Sequence, residues 1–388
     1  MSEYTFLLGS GISLQSGVQS VDEVTEALFE EDYWEHTDQS FIKGVHPSEQ
    51  LREYYDVSPI QDFIRLIKER VDRYLRSRFK YVSQANYEDL FDIIQQIHQE
   101  TKTIRDNVGI EEFCKDIEKA TFSIRNSHRN YPEGEAIDLG RFSEKALRFI
   151  ESVIKYGLNE RELRGLDVLE QLITNEYRVN LFTLNHDLLL EKLSESLNEE
   201  YADGFSEPDG DVRWYEPETW DSERRVKIFK VHGSRNWSLV RHKEKGQTHG
   251  IIVGKDSWHA KDSNGDMVDL LLRTGHILTG QKKFENYISG IHGEIHYRFT
   301  HHLRNCSNLI ISGYGWNDVQ LNWKLFDWLY READNKMIVI HKEPENMAKY
   351  SRFLSYSDIE RGVKHGKIIL IKKWFQEASA GDILQYTT

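Results

Sequence analysis

Four short stretches combine residue types that can hold anions, move protons or orient a substrate. Gly9-Ser10-Gly11-Ile12-Ser13 follows the apolar run Tyr4–Leu8, with Ser16 and Gly17 just beyond. Asn185-His186-Asp187 follows Val179–Thr183, and His232-Gly233 follows Val226–Val231. Ser312-Gly313-Tyr314-Gly315-Trp316 closes the run that begins at Asn308. Glycines let a backbone approach a pyrophosphate closely and turn its amides toward an anion. A histidine exchanges protons near neutral pH after only small adjustments of its pKa. Taken singly, each stretch has an ordinary explanation. The glycines suit a tight turn, Asn185 a turn former, and Asp187 a helix N-cap. His232 is one of 16 histidines, whose default role is structural. Their common place at the ends of apolar runs is what points to a site.

These stretches need elements that bring them together. Tyr4–Leu8, Val179–Thr183, Val226–Val231, Gly250–Val253, Asn308–Ser312, Met337–Ile340 and Ile368–Ile371 read as strands. Several are unbroken apolar runs, as in a parallel sheet covered on both faces. Helical spacing lies between them, at Val21–Phe29 with Ser20 as N-cap, and at Leu188–Leu197, Gly290–Leu303 and Val319–Arg331. The expected fold class is α/β, a doubly wound, mostly parallel Rossmann-like sheet. In such sheets ligands sit at the carboxyl ends of the strands. A helical insertion subdomain is expected after the first strand. Its apolar residues recur at helical spacing: Ile60, Phe63, Ile64, Ile67; then Leu90, Ile94, Ile97; then Ala146, Ile150, Ile154. The expected domains are residues 1–46 with 178–388, and 47–177.

A formal charge of -14 disfavours a role in coating nucleic acid, whose phosphates it repels. The run Lys364, His365, Lys367, Lys372, Lys373 is the best local basic candidate, and reads as a solvated strand edge. The two cysteines, Cys114 and Cys306, form no CxxC pair, which rules out a cysteine-based zinc site and suits a reducing cytoplasm. Tyr4–Leu8 is too short for a signal peptide or a membrane span, so a cytoplasmic chain starting at Met1 is expected. The glycine loop is not a Walker A motif, and Leu14 stands where GxGxxG needs its third glycine.

With these residues in view, a resemblance becomes specific. Gly9-Ser-Gly-Ile-Ser-Leu-Gln-Ser-Gly17 resembles the sirtuin Gly-Ala-Gly-Ile-Ser-x-x-Ser-Gly loop. Thr183-Leu-Asn-His-Asp187 resembles the sirtuin Thr-Gln-Asn-x-Asp segment. Val231-His-Gly-Ser-Arg-Asn-Trp237 resembles the His-Gly motif in the form found in bacterial sirtuin-like defence proteins. Asn86-Tyr-Glu-Asp-Leu90 and Gly313-Tyr-Gly-Trp-Asn-Asp318 resemble two further stretches of that group. The departures are equally specific. The zinc cysteines of protein deacylases are absent, Val18-Gln-Ser-Val21 replaces Pro-Asp-Phe-Arg, and Gly315 replaces a serine.

The resemblance implies NAD+ as substrate and cleavage of its nicotinamide–ribose bond, with His232 as base and Asn185 positioning water and ribose. It implies that Asp187 holds the nicotinamide amide or the ribose. Gly9, Ser10, Gly11 and Ser13 would cradle the pyrophosphate, and Gly313 with Tyr314 would face the adenosine half. No metal is expected. The implied context is an NAD-depleting antiphage effector in a homo-oligomeric ring, partnered by a HerA-type hexameric ATPase. Rival readings are a protein deacylase, a non-enzymatic NAD+ or ADP-ribose sensor, and a nucleic-acid-processing subunit. Trp214, Tyr215 and Trp220, in the polar stretch Tyr201–Arg225, are read as either interface anchors or loop-to-core packing.

Overall fold

A computed structural model describes residues 2–36, 40–44, 56–78, 84–102, 110–127, 139–242, 246–253, 259–272, 276–279, 287–288, 290–351 and 356–387. The chain forms two compact units. One comprises Met1–Val18, Leu158–Leu278 and Lys283–Thr388, the other Gln19–Gly157 with Thr279–Lys282.

The first unit is built on a sheet of seven parallel strands: β1 (Glu3–Leu8), β2 (Arg178–Thr183), β3 (Tyr201–Ala202), β4 (Val226–Lys230), β5 (Asn308–Ser312), β6 (Lys336–Ile340) and β7 (Ile368–Ile371). Their order is β7-β6-β5-β1-β2-β4-β3. The mixed α/β class and the parallel sheet agree with the sequence reading. Helices α1 (Leu189–Ser196), α2 (Gly290–Asn305) and α3 (Val319–Arg331) follow β2, precede β5 and follow β5 respectively. Successive side chains of a strand point to opposite faces. Leu7, Phe182, Phe229 and Leu309 accordingly join one core with Phe299 of α2 and Trp328 of α3. Phe6, Leu181, Ile228 and Ile310 join a second core with Leu172 and Leu190. Both faces are covered, which is why these strands read as continuous apolar runs.

Gly250–Val253 does not belong to this sheet. Its residues Gly250–Ile252 end a strand, Gly246–Ile252, in a separate antiparallel sheet with Trp237–His242, Asp269–Leu272 and Val212–Trp214. This sheet has its own small core of Val212, Trp214, Val240, Ala260 and Val268. Trp220 is 1% exposed and donates its indole N–H to the Ile228 carbonyl. Trp214 is buried too, so both belong to the interior.

The second unit is helical: Val21–Ala27, Ser58–Arg78, Tyr87–Thr101, Ile110–Ser127 and Leu139–Gly157, with a short hairpin of Tyr33–Glu35 and Phe41–Lys43. Ser20 caps its helix as expected, in a reciprocal capping box with Glu23, and Asn86 does the same with Asp89. Phe63, Leu90, Ile94, Phe142, Phe149 and Ile150 are fully buried. The helix Asp167–Thr174 instead packs in the second core of the parallel sheet. Among the described residues no helix is long and apolar enough to cross a membrane.

Candidate active site

Strands β5, β1, β2 and β4 are neighbours and run the same way. Their carboxyl ends deliver Gly313, Gly9, Asn185 and His232 to one edge of the sheet. This is the convergence that the sequence pattern implied.

The glycines of β1 and β5 meet each other. Gly9 donates its amide to the Ser312 carbonyl at 2.9 Å, and Gly11 donates to the Gly313 carbonyl at 3.0 Å. A Cβ on Gly9 would lie 2.4 Å from the Gly313 oxygen, and one on Gly313 would lie 2.7 Å from the Gly9 oxygen. Gly313 also has a φ of +67°, a left-handed conformation that favours glycine. The loop continues as two short 3-10 turns, in which Ile12 and Ser13 bond back to Gly9 and Ser10. The amides of Gly9, Gly11, Ile12 and Ser13 thus already have backbone acceptors. Within Gly9–Ser13, Ser10 and Gly11 are the exposed members.

Asn185, Ser13 and Asp187 form a buried relay. Asn185 Nδ2 donates to the Gly9 carbonyl at 3.1 Å and to Ser13 Oγ at 2.9 Å. Ser13 Oγ donates to Asp187 Oδ2 at 2.7 Å, and Asp187 Oδ1 accepts the Leu189 amide at 3.1 Å. Exposures are 7% for Asn185, 0% for Ser13 and 3% for Asp187. Both donor hydrogens of the Asn185 amide are engaged, so its Oδ1 is the atom left to accept from a ligand. Asp187 is not itself the N-cap of α1, a place taken by Leu188. Lys230 at the end of β4 secures the segment. Its ammonium donates to the Asp187 carbonyl and pairs with Glu191 of α1 at 3.1 Å.

His232 is 5% exposed, and its carbonyl accepts the Leu278 amide at 2.7 Å. Nε2 lies 3.1 Å from Asp318 Oδ2 and 2.9 Å from the Tyr287 hydroxyl. The Tyr287 hydroxyl donates to the same Asp318 oxygen at 2.7 Å. The His186 ring lies 6.3 Å from that of His232. On its other side Tyr287 stacks on His296 at 3.6 Å, and Lys324 lies 3.2 Å from His296 Nδ1. Burial, then the Lys324 charge, holds the His296 pKa well below its ordinary value, so its ring is neutral. Sequence reading placed Asp318 inside a motif without giving it a role, and did not single out Tyr287.

Tyr314 is 7% exposed, and its hydroxyl lies 2.8 Å from Asn322 Oδ1 and 3.2 Å from the Asp318 carbonyl. Asn322 in turn donates to the Trp316 carbonyl at 3.0 Å. Trp316 sits at φ +58°, a strained conformation for a bulky residue, and is 2% exposed. The turn from Gly313 to Asp318 is therefore tightly specified. Among the described residues there is no group of three or more His, Cys, Asp or Glu side chains that could hold a metal ion.

No curated protein matches the chain. Residues 179–360 match the family model of the SIR2-like domain. The matched span runs from β2 to just before β7. It contains Asn185, Asp187, His232, Tyr287, Gly313, Tyr314 and Asp318, whereas β1 and the glycine loop lie before it. The match supports a sirtuin-like protein, and with it a SIR2-like fold and NAD-dependent activity.

Proposed function

We propose that this chain is an NAD+ glycohydrolase, converting NAD+ and water to nicotinamide, ADP-ribose and a proton. The observation that carries this reading is the pairing of buried Asn185 and His232 at the carboxyl ends of adjacent parallel strands, within the SIR2-like span. Nicotinamide leaves as a neutral base from a cationic pyridinium, so its departure needs no general acid. The site must instead steady an oxocarbenium-like ribose and prepare a nucleophile. Asn185 Oδ1 accepts a hydrogen bond from the attacking water or a ribose hydroxyl, its direction set by Ser13 and Gly9. Asp187 acts through Ser13, which it orients. His232 takes the proton. Ser10 and Gly11 face the pyrophosphate, and the Gly313–Tyr314 turn shapes the adenosine side. The motif resemblance extends the reading to an NAD-depleting antiphage effector that acts as a homo-oligomer with a HerA-type ATPase.

His232→Ala and Asn185→Ala should each lower nicotinamide release at least ~100-fold while leaving the thermal transition near that of the unsubstituted chain. Full activity in either variant would remove that residue from the mechanism. Nicotinamide release that requires an acetylated peptide would favour deacylation. Binding of NAD+ with no release would favour a sensor.

A further inference from the structure

His232 has an environment that the reaction scheme above leaves unused. Its Nε2 faces an oxygen of Asp318 and the hydroxyl of Tyr287, which also face one another. His232 and Tyr287 are buried, at 5% and 6% exposed, and the Asp318 side chain is 9% exposed. An ionised carboxylate only accepts. The hydrogens in this three-way contact therefore come from the phenol and from Nε2. The ring proton then sits on Nε2, and Nδ1 carries the lone pair. Asp318 is itself held firmly. Its Oδ1 accepts the Leu321 amide at 3.0 Å and caps α3, while Oδ2 faces His232. One carboxylate thus ties the start of a helix to the histidine.

We infer that Asp318 is the positioning residue of His232, fixing the tautomer that makes Nδ1 the base, and that Tyr287 clamps the shared carboxylate oxygen. The inference rests on the proposed NAD+ hydrolysis. When Nδ1 takes a proton, the imidazolium forms beside a negative charge already in place, which stabilises it. Among the described residues, the neighbouring histidines are directed elsewhere. His186 turns its Nδ1 to the Gly233 carbonyl, and His292 turns its Nδ1 to the Val231 carbonyl. His296 is neutral and separated from His232 by the Tyr287 ring, with Lys324 beyond it.

The test compares kcat, KM and the pH profile of nicotinamide release for His232→Ala, Asp318→Asn and Tyr287→Phe, together with their thermal transitions. Asparagine caps a helix about as well as aspartate, so Asp318→Asn should keep its fold. The cap demands the amide oxygen toward Leu321, which turns the NH2 toward Nε2 and forces the proton onto Nδ1. The expected result is a fall in kcat of ~10²–10⁴-fold with KM little changed. Activity rises with pH as the base is deprotonated. Loss of the carboxylate destabilises the imidazolium, so the rising limb of the residual activity should move to lower pH. Tyr287→Phe keeps the ring on His296 and should lower kcat ~3–10-fold, and it decides the matter should Asp318→Asn not fold. Asp318→Asn with unaltered kcat and pH profile, or Tyr287→Phe with undiminished kcat, would overturn the inference while inert His232→Ala left the hydrolysis reading standing. An active His232→Ala would sink the hydrolysis reading itself.

Discussion

At the scale of single residues, glycines do the most definite work. Gly313 and Gly366 share nearly the same backbone angle, φ +67° and +68°. A Cβ on Gly313 would meet the Gly9 oxygen at 2.7 Å, whereas one on Gly366 would meet nothing within 4 Å. Alanine at either position bears the left-handed strain of about 1–2 kcal/mol. Only Gly313→Ala adds a backbone clash across the site. Its loss of stability in denaturant titrations should exceed that of Gly366→Ala by at least about 1 kcal/mol. Equal losses would mean that the contact between the β1 and β5 turns can open at little cost. The sequence pattern correctly put Gly9, Asn185, His232 and Gly313 after strands. It gave no signal for the contact that joins Tyr287 and Asp318 to His232, because those residues are 55 and 86 positions away. For Asp318 a local signal did exist: an aspartate just before the helical run of Val319 is a cap candidate, and a cap has a second oxygen to offer.

At the scale of elements, strand existence was legible and partnership was not. Leu309–Ile311 and Ile338–Ile340 are apolar because both faces of the sheet are covered. Ile251-Ile252 looks the same in sequence but pairs with Trp237 and Val212 in a different, antiparallel sheet. A short apolar run records burial, not the neighbour that buries it. Helix amphipathicity was the clearer signal, and the helix Leu139–Gly157 buries Phe142, Ala146, Phe149, Ile150 and Val153. The same helix carries Glu151, whose carboxyl is pushed by burial up to about 7 from an ordinary 4.5. In this case folding favours the protonated form. The stability it contributes is complete below the unfolded value and is lost as pH rises toward 7. Glu151→Gln should therefore raise the thermal transition above pH 7 and leave it nearly unchanged near pH 4.5. A rise of the same size at both values would remove burial of the charge as the cause.

At the scale of the whole molecule, acidity and the sheet edge bear on the choice of ligand. The basic run near the C-terminus is tied up rather than gathered into a groove. Lys373 pairs with Asp382 at 2.8 Å, Lys372 lies 3.5 Å from Glu345, and Lys367 donates to the carbonyls of Glu332 and Ala333. Polar groups do gather at the carboxyl ends of β1, β2, β4 and β5, where an open parallel sheet binds its ligand. Composition bounded the class, and the ends of the strands indicated where the chemistry would lie. How the polar residues there pair with one another came from the folded chain alone.

The central claim is that this edge hydrolyses NAD+. The most direct measurement is a time course of nicotinamide and ADP-ribose formed from NAD+ by the purified chain, alone and with the proposed HerA-type ATPase. The account predicts the two products in equal amounts, with neither formed by His232→Ala. Saturable binding of NAD+ with neither product under both conditions would contradict it.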